Sequence, residues 1–87
     1  MFRVQVLGTI WGGQKCAYEY KTDYLPGDKS QFHREVKKLA GDFAGVSDFR
    51  ILTPRFAKFG HFDGYRTLKG FTGRSAARTF TQATQED

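Results

Sequence analysis

The 87-residue chain has one cysteine, two prolines and no long apolar run, and each shortage excludes something. A lone Cys16 cannot build an internal disulfide framework, so it reads as a small apolar strand residue in a reducing compartment. The adjacent Lys15 does not activate it, because neighbours on a strand point to opposite faces. The ~20 consecutive apolar residues of a membrane helix are absent. The opening Met-Phe-Arg-Val-Gln-Val-Leu alternates apolar with polar, where a signal peptide would be continuously apolar. A cytoplasmic protein with no membrane partner is expected. Metal-ligating residues are few: His33, His61 and Cys16, without CxxC, HxxxH or HxH spacing, so neither a metal nor a cofactor is expected. The glycines of residues 8–13 lack the lysine and hydroxyl of a phosphate loop and lead into a strand, not a helix.

Anions are scarcest where cations are densest. From Arg50 to Arg78 stand seven cations (Arg50, Arg55, Lys58, Arg66, Lys69, Arg74, Arg78) and one anion, Asp63, a balance of +6 in a chain whose net charge is +5. Phe56, Phe59, Phe62, Tyr65 and Phe71 are threaded between them. Cations neutralise phosphates with release of counterions, and exposed rings stack bases. The same phenylalanines could instead fold back to finish a small core and leave the cations as a solvated face. Arg34, Lys37 and Lys38 add a second basic cluster, interrupted by Glu35.

The pattern of the rest supplies a scaffold. Phe2, Val4, Val6 and Ile10 alternate with Arg3, Gln5 and Thr9, which predicts a half-buried strand, while Leu7 and Trp11 interrupt the polar side. Gly12-Gly13 marks a turn, and Cys16, Tyr18 and Tyr20 alternate with Lys15, Glu19 and Lys21 in a second strand of the same hairpin. After the Pro26-Gly27 turn, Asp28 or Ser30 can cap a helix. Phe32, Val36, Leu39 and Phe43 are spaced as one apolar helical stripe, with Gly45 as a C-cap. Residues 47–53 alternate as a third strand, which Pro54 ends or confines to an edge. Residues 55–64 read either as a helical turn or as a hairpin turn, with Gly60 and Gly64 favouring the latter. A fourth strand follows at 65–72, then a short helix at 74–80.

The expected fold is therefore α+β, a small two-layer arrangement in which an antiparallel sheet in β-β-α-β-β order is covered on one face by one amphipathic helix. Residues 1–80 would form a single domain and 81–87 a polar, frayed tail. Leu7 and Trp11 leave room for a homodimer or partner surface.

Three functions compete. The first is a small basic, non-enzymatic nucleic-acid-binding protein that contacts DNA or RNA phosphates through Arg50, Arg55, Lys58, Arg66, Lys69, Arg74, Arg78, Lys37 and Lys38, with Phe59 stacking a base. The second is an adaptor or inhibitor whose basic surface meets an acidic protein partner. The third is a metal-free ribonuclease, with His61 or Tyr65 as acid or base and Arg55 and Arg66 clamping the phosphate. No catalytic residue is assigned in the leading reading.

Overall fold

The computed structural model describes residues 1–85; the end of the expected polar tail, residues 86–87, lies outside the described residues. Six elements follow in the order β1 (Phe2–Ile10), β2 (Lys15–Thr22), α1 (Lys29–Ala40), β3 (Phe43–Phe56), β4 (Phe62–Lys69) and α2 (Arg74–Gln85). The strands form one antiparallel sheet in the order β2-β1-β3-β4. Among the described residues no helix is long and apolar enough to cross a membrane.

The N-terminal hairpin forms as its alternation predicts. Val4 faces Tyr20 and Val6 faces Tyr18 across β1 and β2. Gly12 and Gly13 both take positive φ in the turn, at no steric cost to a residue without Cβ. Both β2 and β3 run against β1, so they run parallel to each other and need a crossover. That crossover is α1. The Asp28 carboxylate accepts from the Gln31 amide at 2.9 Å and caps it, and Gly41, at φ 57°, ends it by donating to the Lys37 carbonyl at 2.9 Å.

The apolar stripe of α1 differs from its expected composition. Phe32 and Val36 are buried as anticipated, but Leu39 is 57% exposed. The helix stops at Ala40, so Phe43 belongs to β3, and the expected cap at Gly45 is replaced by Gly41. The core still gathers Phe43. Its ring lies 5.7 Å from Tyr18 and 5.3 Å from His33, and Phe32 meets Phe49 at 4.3 Å. Phe43 fits because Gly8 lies beneath it: a Cβ on Gly8 would overlap both the Phe43 ring and the Gly45 carbonyl.

The one-helix, two-layer expectation is corrected by α2. The predicted short helix at 74–80 runs on to Gln85 and covers the face of the sheet that carries Arg3 and Gln5, opposite α1. It packs mainly over β2 and also over β1, and Leu7, Thr9 and Asp48 face Ser75, Ala76 and Thr79 across a shared cavity. Leu7, which interrupts the polar side of β1, is thereby buried and is no surface for a partner, whereas Trp11 stays 71% exposed. Asp48 pins the chain as it enters α2, its carboxylate accepting from the Thr72 amide at 3.0 Å and the Thr72 hydroxyl at 3.1 Å. Phe80 then packs against Phe71 at 5.6 Å.

Two further boundaries move. The third strand spans Phe43–Phe56 and so continues through Pro54, and the fourth starts three residues early, at Phe62. Pro54 is tolerated because the last residue of β3 to pair with β1 is Leu52, opposite Arg3. Beyond that point β3 has only β4 beside it, the edge setting in which a strand can lack a donor.

Two outcomes follow from the core. Phe32→Ala should cost about 3–5 kcal/mol, the usual cost of emptying a buried Phe site, whereas Leu39→Ala should cost no more than ~0.5 kcal/mol, as exposed substitutions do; urea titration of both variants compares them. Burial pushes the Tyr18 and Tyr20 phenols up to about 12, and the Tyr20 hydroxyl has no hydrogen-bond partner among the described residues. Above pH ~10 the unfolded chain loses these protons while the folded one keeps them, so stability should be flat below pH ~10 and fall between ~10 and ~12. Tyr20→Phe should leave neutral-pH stability unchanged or slightly higher, because no hydrogen bond is lost, and should reduce that alkaline fall in the same titration.

Candidate nucleic-acid interface

The segment read as either a helical turn or a hairpin is a hairpin. Its turn closes with the Ala57 amide donating to the His61 carbonyl at 2.8 Å and the Gly60 amide to the Ala57 carbonyl at 2.9 Å. Gly60 supplies the φ of 83° that a three-residue loop of this kind requires. The ends of β3 and β4, residues 53–66, form a two-stranded arm beyond the last residue of β3 that pairs with β1. The molecule measures 48 × 24 × 23 Å along its principal axes, so it is about twice as long as it is wide.

The alternative that the phenylalanines complete the core is overturned. Phe56, Phe59 and Phe62 are 62%, 84% and 58% exposed. Phe59 sits in the turn. Phe56 and Phe62 are register partners, with rings 6.3 Å apart, and Phe62 meets Tyr65 edge-on at 5.3 Å. Tyr65 in turn lies under the Arg3 guanidinium at 5.4 Å, a cation–π contact. Arg3 alternates with Val4 and so projects to the α2 side of the sheet, which places Tyr65, Phe62 and Phe56 in one row on that side.

A polar network fixes the root of this row. Arg3 is paired with Glu19, and the Gln5 amide donates to the same carboxylate at 2.9 Å. Arg50 donates from Nε to the Gln5 carbonyl oxygen at 2.8 Å and lies 5.2 Å from the Phe71 ring. Buried Gln5 is thereby satisfied at both ends of its amide. Burial raises the Glu19 carboxyl, but the hydrogen bonds from Arg3 and Gln5 outweigh it and hold the group below its usual value. Arg3 is raised by the same hydrogen bond.

The expected phosphate-binding residues are divided among four places. Arg55, Lys58, Phe59 and Arg66 belong to the arm. Arg55 is engaged by Asp63, at 3.4 Å between side chains and 3.2 Å from its Nε to the Asp63 carbonyl. Among the described residues Lys58 and Arg66 have no ion-pair partner. Arg50 and Lys69 stand behind the arm, Arg50 held by Gln5 and Lys69 with its ammonium 5.1 Å from the Phe49 ring. Arg74 and Arg78 are exposed on α2, and Lys37 and Lys38 on α1, with Lys38 paired to Glu35 at 3.3 Å. Since α1 and α2 cover opposite faces, these two clusters cannot meet the same flat ligand surface together with the arm.

The catalytic alternative gains no constellation. Among the described residues no hydrogen bond joins His61 to Tyr65 or Asp63. Burial pushes the Cys16 thiol up, away from the reactive thiolate. Sequence reading missed Arg3 and understated the Phe56–Phe62–Tyr65 row. The Phe and Tyr residues were visible as aromatics, but Arg3 reaches Tyr65 only through the pairing of β1 with β3. Comparison with protein-family models, curated proteins and solved structures finds no match to this chain.

Proposed function

We propose that the protein binds nucleic acid without catalysis, and that the β3–β4 arm is the part that engages it. The observation that supports this best is a projecting hairpin whose exposed rings stand among unpaired cations. Phe56, Phe59 and Phe62 are largely open to solvent, and Lys58 and Arg66 lack ion-pair partners among the described residues. Cations give a sequence-independent hold on phosphates, and exposed rings add stacking that does not depend on base identity. The chain's net charge of +5 strengthens the encounter with a polyanion. Arg55 contributes less than its sequence position suggests, because Asp63 offsets its charge. The same apolar, basic arm would also suit a pocket rimmed by acidic residues on a protein partner, and that is the second reading.

Affinity for duplex DNA should fall steeply with salt and vary little with sequence. Replacing Lys58 and Arg66 together by Gln should flatten the slope of log K against log salt by roughly 2, at about 0.9 per phosphate contact. Fluorescence anisotropy across a salt series measures it. Failure of the folded protein to retain any DNA or RNA at ~50 mM salt, where electrostatic binding is strong, would transfer the reading to a protein partner. A pull-down from lysate with and without nuclease identifies that partner.

A further inference from the structure

We infer that the ligand of the arm is a single strand, with its bases stacked on the Phe56–Phe62–Tyr65 row and on Phe59 at the tip; this rests on the nucleic-acid reading above. Ring surface outweighs charge on the arm. Once Asp63 has engaged Arg55, two cations remain, Lys58 and Arg66, against three phenylalanines that are each more than half exposed. A surface made for duplex backbones gains from cations and little from exposed rings, because duplex bases are already stacked on one another. A single strand offers the face of every base to a ring, and its phosphates to the cations beside them. Rings and unpaired cations on one arm match both halves of that ligand.

The row is also preformed. The three rings contact one another in sequence, at 6.3 Å and 5.3 Å, and they do so on one side of the sheet. Tyr65 is held from behind by Arg3, whose own guanidinium is fixed by Glu19. Little side-chain freedom remains to be lost when bases settle on such a row. Lys58 is next to Phe59 in the turn, and Arg66 is next to Tyr65 on the edge strand β4. Lys58 thus lies at the tip beside the row, whereas Arg66, as the strand neighbour of Tyr65, projects to the other face of β4, the outer edge around which the backbone of a bound strand can reach it.

The test is equilibrium binding of the full chain, at ~50 mM salt, to fluorescent oligo-dT, oligo-U and a duplex of the same length, each about 15 nucleotides, the upper end of common single-strand site sizes. Both single strands should bind more tightly than the duplex. Phe59→Ala and Phe62→Ala should each weaken single-strand binding by roughly 5- to 100-fold, as loss of a stacked base does, and leave duplex binding within about 2-fold. The Lys58→Gln/Arg66→Gln protein should weaken on all three ligands. Equal affinity for dT and U, or a preference for either, supports stacking, and a preference for U adds contacts to the 2′-hydroxyl. Thermal melting of each variant checks the fold; if Phe62→Ala melts early, Phe59, isolated in the turn, decides alone. Equal affinity for duplex and single strand, with ring variants unchanged, overturns the single-strand inference while the broader binding reading stands. Absence of binding to any of the three ends both.

Discussion

Val4 and Val6 press against α1 while Gln5 and Leu7 lie toward α2, and the same strand has β2 on one edge and β3 on the other. The remainder of the molecule depends on this closure of β1. Five consecutive residues, Val4 to Gly8, are buried, so each needed a separate solution. The valines are met by Phe32, Val36 and Ile51. Leu7 is covered by α2. Gln5 is satisfied by Glu19 and Arg50, and an unsatisfied amide there would cost about 1–3 kcal/mol. Gly8 yields the space that Phe43 fills. Few 87-residue chains have apolar surface to spare, since a domain of this size buries a modest share of its unfolded area.

Against that economy, the arm stands out. Three phenylalanines, large enough to have served the core, are spent on a two-stranded extension that contributes nothing to it. Their exposure is not scattered: Phe56 and Phe62 adjoin each other with Phe59 in the turn beyond them, and the row continues through Tyr65 to Arg3, which belongs to the central strand. The network of Arg3, Glu19, Gln5 and Arg50 therefore does two things at once. It satisfies the single buried amide side chain of β1, and it anchors the surface row to the most rigid part of the sheet.

The sheet was legible in the sequence wherever alternation was clean. Phe2 to Ile10 and Lys15 to Thr22 pair as read, and Phe32 and Val36 mark the inward face of α1. The extent of α2 was not legible, because apart from Phe80 its half-buried residues, Ala76, Ala77, Thr79 and Ala83, are small and only weakly apolar. Leu39 misled for the opposite reason. It keeps helical spacing with Phe32 and Val36, yet Gly41 ends the helix before Phe43, and the stripe loses its last member. Of the two readings of Pro54, a strand end or an edge position, the second holds: where β3 outruns β1 there is no partner on that edge to deprive of a hydrogen bond. At the site, the aromatic and basic character of residues 50–78 was evident, but not its division among the arm, α2 and the sheet behind the arm. Charge counts along a chain carry no information about which faces the side chains reach.

Past Leu52, the hydrogen bonds of β3 are shared with a single neighbour, whereas those of β1 are sheltered by strands on either edge and helices on either face. Cooperative unfolding does not extend evenly across such a molecule. A local opening of the arm would leave Val4, Val6 and Phe32 untouched, so amide protons near residues 57–62 are expected to exchange with solvent well before those of the central strand. The anchored Tyr65 stands where the doubly bordered part of the sheet gives way to the singly bordered arm.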